Sequence, residues 1–364
     1  MAEITLRAPE TCRWDAVALG EIMLRFDPGD TRVKTTRAFT VWEGGGEYNV
    51  VRGLRKCFRL TTSVLTGIPK NPLGYLLEDL ICQGGVDLSH AAWFPYDGIG
   101  ASHRQGLNFV EKGFGLRGAL GVSDRAHTAA SAVSPGDFDF EKVFVTEGSR
   151  WFHCGGIFAA LSESSAETAI AAMKAAKSAG TIVSYDLNYR PSLWKSRGGQ
   201  DRAREINREI VKYVDVIIGN EEDFSASLGF QLPDVNTASI QKDTYKQMMQ
   251  EVQKEYPDLK AVATTLREVH SANFNDWGAL LYYNGEIYES VEWKNMEIYD
   301  RVGGGDSFAS GLIYGFLTER PPQECVNLGA AHGALAMTTP GDTSMASVEE
   351  VESLAKGGSA RIVR

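Results

Sequence analysis

Near the end of the chain, Asp300-Arg301-Val302-Gly303-Gly304-Gly305-Asp306-Ser307 places three consecutive glycines directly before an acid. Phe308, Leu312 and Phe316 follow at helical spacing, which sets the glycines at a helix N-terminus. Glycines have no side chains to hold an anion away, so their N–H groups can converge on one concavity, and the helix dipole adds partial positive charge. A carboxylate at the rim of such a cradle is electrostatically out of place beside a bound anion, and Asp306 is best explained as a base for a hydroxyl. An anion cradle plus a base is the minimum equipment for moving a phosphoryl group onto an alcohol. The residues by themselves leave a second reading open: a tight glycine turn, with Asp306 stabilised as a helix-terminal carboxylate.

Other stretches combine glycines or charges with strand ends. Gly44-Gly45-Gly46-Glu47-Tyr48-Asn49 is a second glycine cluster leading into a helix, with Asn49 either a ligand donor or a helix-terminal hydrogen bonder. It lacks the spacing and the later acid of a dinucleotide fingerprint, which counts against a nicotinamide oxidoreductase. In Asp186-Leu187-Asn188-Tyr189-Arg190, the arginine offers bidentate donors to a carboxylate or phosphate, or else a salt bridge to Asp186. Gly219-Asn220-Glu221-Glu222-Asp223 carries three acids that suit a metal or simply a helix N-terminus. His127 reads as a surface histidine, not a catalytic base.

Strand and helix patterns alternate around these stretches. Short apolar runs at 15–20, 61–67, 151–154, 182–186, 214–219 and 261–265 read as buried strands. Amphipathic helices are expected at 73–82, 163–178 and 324–337, and 278–290 reads as a hairpin about Asn284-Gly285. The pattern is that of an α/β fold, a doubly wound, mostly parallel sheet flanked by helices, whose ligands sit at the strand ends. Residues 21–40 mix charged and apolar types and suit an exposed sheet. The glycine-rich 98–121 stretch reads as mobile turns.

The 300–308 segment resembles the C-terminal signature of the ribokinase-like (PfkB) carbohydrate kinases, with Gly304 where that signature has alanine. The 44–49 cluster resembles the N-terminal signature. Residues 186–194 match the Asp-x-Asn-x-Arg-x-x-Leu-Trp segment of the family's ketodeoxygluconate kinases and fructokinases. The resemblance spans the chain and implies a single ribokinase-like domain over 1–364, with a small β lid from insertions at about 21–42 and 98–128. It implies Asp306 as catalytic base, Gly303, Gly304 and Gly305 as the anion hole, and Gly45, Gly46 and Asn49 as sugar contacts. Asn108, Arg125 and Arg104 are the lid's polar candidates; Arg125 resembles an arginine that precedes a Gly-Ser-Ala run in ketodeoxygluconate kinases. Ser123 and Asp124 stand where those enzymes have an aromatic pair, and Asn108 where they have tyrosine.

For the nucleotide, 219–223 resembles the family's Asn-x-x-Glu motif, which organises magnesium and phosphates. That assigns Asn220 to the cofactor and Glu222 and Asp223 to the metal, Asp223 through water because it is one methylene shorter than Glu. Residues 264–268 occupy the place of the family's nucleotide-binding turn without its glycines, leaving Thr265 and Arg267 as contacts, and 269–277 reads as an insertion. Asn327 falls in the stretch that walls the adenine pocket, and 339–344 beyond it leaves room for a monovalent cation such as K+.

The expected activity is ATP- and Mg2+-dependent phosphorylation of the terminal primary hydroxyl of 2-keto-3-deoxygluconate, since a sugar acid needs cations and Arg104, Arg125 and Arg190 supply them. Fructose or another substrate of the family is the alternative, and a catalytically silent sugar-binding regulator is the non-enzyme alternative. A formal charge of -10 argues against a nucleic-acid surface. No apolar leader or membrane-length run is present, so the chain reads as a cytoplasmic protein, with a homodimer through the lid expected. Its five scattered cysteines read as reduced thiols.

Overall fold

In the computed structural model, which describes residues 3–230 and 242–358, the expected strands close into one large sheet. In chain order the strands are β1 (Trp14–Leu19), β2 (Met23–Asp27), β3 (Thr40–Gly44), β4 (Thr62–Leu65), β5 (Gly67–Pro69), β6 (Ala92–Phe94), β7 (Leu107–Glu111) and β8 (Leu120–Asp124). They continue as β9 (Ser149–Gly155), β10 (Ile182–Asp186), β11 (Val216–Ile218), β12 (Ala261–Val269), β13 (Phe274–Tyr283), β14 (Glu286–Glu289) and β15 (Trp293–Glu297). The large sheet runs β14-β13-β12-β11-β10-β9-β1-β4, with β15 also paired to β13. From β12 to β4 every pairing is parallel, and β13, β14 and β15 form an antiparallel edge.

Burial on both faces explains the continuous apolar runs of the parallel strands. In β1, Val17 and Leu19 join one core while Ala16 and Ala18 join the other, the period-two alternation of a strand. The first core is covered by helices Glu163–Ser178, Gly199–Val211, Glu221–Leu228 and Lys242–Glu255; the second by Gly46–Lys56, Pro72–Gly84, Gly304–Leu317, Pro322–Ala336 and Val348–Ala355. Since β1 leads to β4 on one side while β9 lies on the other, strand order reverses between β1 and β9. Loops diverge there and leave a crevice at the strand ends.

A separate sheet, β3-β2-β7-β8, stands beside this crevice. Its strands come from 23–44 and 107–124, so β3 runs two residues past the expected insertion. One expectation is corrected here. Residues 21–40 suggested an exposed sheet, but β2 is buried along most of its length, because its charged residue Arg25 finds carboxylate partners inside the protein. Residues 269–277, expected as an insertion, are part of a regular hairpin. These residues lengthen β12 and β13 through the pairs Arg267↔Trp277 and Val269↔Asn275. The hairpin tip then braces the small sheet, Gly115 N donating to Asn273 Oδ1 at 2.7 Å. Among the described residues no helix is long and apolar enough to cross a membrane. All five cysteines are free thiols, with Cys57, Cys154 and Cys325 buried.

Candidate active site

Helix Gly304–Leu317 begins at Gly303, whose φ of +80° is a left-handed conformation that a side chain disfavours. A Cβ there would also lie 2.0 Å from the carbonyl oxygen of Asp342. The first intrahelical bond runs from Ser307 N to Gly303 O at 2.9 Å, so the N–H groups of Gly304, Gly305 and Asp306 have no acceptor within the helix. Gly305 has open space where a side chain would stand, whereas Gly304 packs against Met337. Asp306, in the first turn, accepts a 2.7 Å hydrogen bond at Oδ2 from Asn49 Nδ2. Burial pushes its carboxyl up to about 6; the Asn49 bond opposes the rise, nearby Asp342 adds to it, and Arg190 opposes it. A carboxyl poised there is a base that is both ionised and usefully basic near neutrality.

Asn49 reaches Asp306 because two helices meet closely. A Cβ on Gly53 of helix Gly46–Lys56 would lie 2.6 Å from Ser310 Oγ of the Asp306 helix, so glycine is what permits the approach. Gly45 allows another: its Cβ would fall 2.0 Å from Glu21 O. Gly45 N donates to Asn49 Oδ1 at 3.2 Å, which orients the amide with Nδ2 toward Asp306. Asn49→Ala removes the donor that holds Asp306 down, so the acid limb of a pH–rate profile is expected to move to higher pH. An unmoved limb would separate Asn49 from the base.

The crevice opens into a cavity of about 990 Å³ that gathers most of the expected residues. Gly45, Gly46 and Asn49 line it beside Gly303, Gly305 and Asp306. Asn108 and Arg125 enter from the small sheet side, and Arg190, Asn220, Glu222, Asp223, Thr265 and Arg267 from the strand ends. The profile described as pfkB family carbohydrate kinase matches residues 15–349. The chain belongs to the PfkB family of carbohydrate kinases.

The similarity of this PfkB kinase to individual proteins runs end to end. It is 28% identical to a 2-dehydro-3-deoxygalactonokinase of Haloferax volcanii over 96% of this chain and 99% of that protein. Against a 5-dehydro-2-deoxygluconokinase of Shouchella clausii the identity is 25%, over 94% and 95% of the two chains. The crystal structure of a 2-dehydro-3-deoxygluconokinase from Thermotoga maritima superposes with a TM-score of 0.85 at 37% identity, covering 94% of this chain and 99% of that one. A putative ribokinase II of E. coli, solved with ATP and Mg2+, shares the fold, with a TM-score of 0.74 at 17% identity over 94% and 99% of the chains.

Within the kinase cavity the three candidate arginines differ. Arg125 donates from Nε to Glu21 Oε2 at 2.8 Å, so much of its charge is neutralised. Arg104 is not itself a lining residue but bonds two that are, Asp124 and Ala126 O, and His127 is exposed off the lining. Arg190 is exposed to the cavity, donating only to its neighbour's carbonyl, Tyr189 O, at 2.9 Å; no carboxylate stands in ion-pair range among the described residues. Asn327 also lies off the cavity lining. Its Oδ1 accepts from Val291 N at 3.0 Å, a loop-anchoring role that helix position alone does not announce.

The acids sort by whether their oxygens are already used. Asp223 Oδ2 accepts Asn220 N at 3.0 Å, closing a capping box at the helix N-terminus, while Oδ1 accepts Tyr189 N at 2.7 Å from the loop after β10. Glu222 lines the cavity beside it, as does Asp186, the residue considered above as a salt-bridge partner of Arg190. Burial and the carboxylates of Asp223 and Asp306 push Asp186 well above the usual range, an environment that favours a cation. Among the described residues no group of three or more metal-ligating side chains is assembled. One or two carboxylates are what Mg2+ takes when phosphates and water fill its other positions, so the donor set fits. Further lining residues missed from sequence are Asn188, Arg197, Trp277 and Arg301. Asn188 and Arg301 sit inside the quoted motifs, and Arg301 Nε is buried without a hydrogen-bond partner.

Proposed function

We propose that this PfkB kinase transfers the γ-phosphoryl group of ATP, with Mg2+, to the terminal primary hydroxyl of a keto-deoxy sugar acid, 2-keto-3-deoxygluconate foremost. The observation that carries the reading is the Arg190 guanidinium, which faces the cavity with no carboxylate in ion-pair range among the described residues and can take one from the substrate. The likeness to kinases named for 2-dehydro-3-deoxy sugar acids supports it. Asp306 accepts the hydroxyl proton, and Asn49 holds its carboxylate in place. The N–H groups of Gly304, Gly305 and Asp306 stabilise charge on the transferring phosphoryl group. Mg2+ neutralises the nucleotide phosphates, and Glu222 and Asp186 are the residues that would hold it.

The small sheet acts as a lid whose closure excludes water, bringing Asn108 and Arg125 onto the sugar. Its edge strand β8 is exposed throughout, with Leu120 at 44% and Val122 at 46%, which supports pairing with a second copy through the lid. A cytoplasmic setting fits an enzyme that draws on ATP.

Coupled ATP turnover against 2-keto-3-deoxygluconate, its galacto epimer, fructose, ribose and gluconate tests the substrate. Turnover confined to the keto-deoxy acids is expected, with Arg190→Ala raising their KM about ten- to a hundredfold, the worth of a charge-assisted hydrogen bond. Fructose is the second reading, favoured by the Glu21 carboxylate that neutralises Arg125. Turnover of neutral sugars only, indifferent to Arg190→Ala, would replace the sugar-acid proposal with it.

A further inference from the structure

Arg25 of β2 is fully buried, and its guanidinium meets three carboxylates from separate parts of the chain. Nη1 bonds Asp342, Nη2 bonds Asp300, and Asp27 Oδ2 lies 3.3 Å from Nη2. Two of these partners build the glycine turn. Asp300 Oδ1 accepts Val302 N at 3.1 Å, which shapes the segment entering Gly303. The carbonyl of Asp342 is the group packed on Gly303, 2.0 Å from where a Cβ would stand. The Asp342 side chain also presses on the other glycine cluster, with Oδ2 2.2 Å from a Cβ on Gly44.

Three buried carboxylates cannot be held together without a cation, because their mutual repulsion and desolvation would neutralise or separate them. A guanidinium fork satisfies the need in a way an ammonium does not, since it reaches Asp300 and Asp342 at once in a fixed plane. The carboxylate of Asp342, in the stretch where a monovalent cation was expected, is thereby already occupied by the protein itself. K+ therefore does not fit these residues.

We propose that Arg25 is the positioning residue of the anion-binding turn, a built-in cation that ties β2 of the small sheet to the N-terminus of the Asp306 helix and stands where a dissociable monovalent cation would otherwise be required. The proposal rests on the kinase reading for its rate effects and on the buried cluster for its cation effects. It predicts that replacing K+ with tetramethylammonium leaves wild-type kcat unchanged within about twofold and leaves the melting temperature of the ligand-free protein unmoved. Arg25→Lys keeps the charge and loses the fork, so kcat should fall about a hundredfold, the scale of a 1 Å misplacement, while KM for the sugar stays within about threefold. A merely structural role would lower the melting temperature of Arg25→Lys and leave the rate per folded molecule intact, and that result overturns the positioning role. Activation of the wild type by K+ beyond about fivefold, or a K+-specific rise in its melting temperature, overturns the built-in cation. If Arg25→Lys does not fold, the two wild-type comparisons still decide. If no sugar is turned over, the functional reading fails while the melting comparison continues to read the cation site.

Discussion

Asp306→Asn is expected to lower kcat by about 10²- to 10⁴-fold, the usual contribution of a positioned general base, and to leave sugar KM nearly unchanged. Asparagine keeps the shape and can still accept from Asn49 Nδ2, so the loss isolates proton acceptance from packing. In the wild type the base must be ionised to act. With its carboxyl pushed up to about 6, kcat/KM should fall about tenfold per pH unit below that value and level off above it. The same shift makes a stability prediction of opposite sense. Burial raises this acid from 3.8 to about 6, so the folded state holds the proton more tightly than the unfolded chain does. Its favourable contribution is full below about 4 and is lost as pH rises through about 6. At pH 7 the ionised carboxylate therefore weakens the fold, and Asp306→Asn should melt no lower than wild type, with a flatter dependence of Tm on pH between those values. A mutant of near wild-type rate would remove Asp306 from the chemistry, and one whose melting temperature collapses would overturn the stability prediction.

That trade between stability and activity sits at the part of the site most legible in the sequence. Glycines before an acid, strand ends carrying Asn and Arg, and period-3.6 helices are local patterns, and local patterns survive in the chain as written. The 163–178 helix and the 182–186 strand fall within the expected bounds, and the Asn284-Gly285 turn joins β13 to β14. What stayed hidden is set by distant partners. Arg25 looks like a surface charge in a mixed segment because Asp300 and Asp342 stand 275 and 317 residues away. Nothing in the chain as written shows that Asp223 closes a helix cap with one oxygen and takes Tyr189 N with the other, and Arg125 looks like a free cation until Glu21 is found beside it. In each case the residue type was informative and its partner was not, since ion pairing follows tertiary proximity and leaves no periodicity. The 269–277 residues read as additional to a turn, and the strand pairing they take up was not legible because its register is defined only by β12 and β13 together.

The two rim glycines should separate architecture from chemistry. Gly303→Ala forces a Cβ into a left-handed position, which costs roughly 1–2 kcal/mol by itself. The new atom also meets the Asp342 carbonyl at 2.0 Å, and backbone cannot swing aside as a side-chain tip can. A total loss of about 3–4 kcal/mol is expected, read as a fall in denaturant midpoint, with activity lost as the turn rotates its N–H groups away. Gly305→Ala should do the reverse. Its Cβ meets nothing within 4 Å, and alanine favours a helix over glycine by about 1 kcal/mol, so stability should hold or rise slightly. The methyl projects at the cavity rim, beside the N–H groups that would receive the phosphoryl oxygens. Phosphoryl transfer should then drop about a hundredfold, comparable to losing one donor of an oxyanion hole. Equal stability with near wild-type turnover in Gly305→Ala would mean that the phosphoryl group is cradled elsewhere in the cavity. A stable but inactive Gly305→Ala beside an unstable Gly303→Ala would assign one glycine to the turn and the other to the anion.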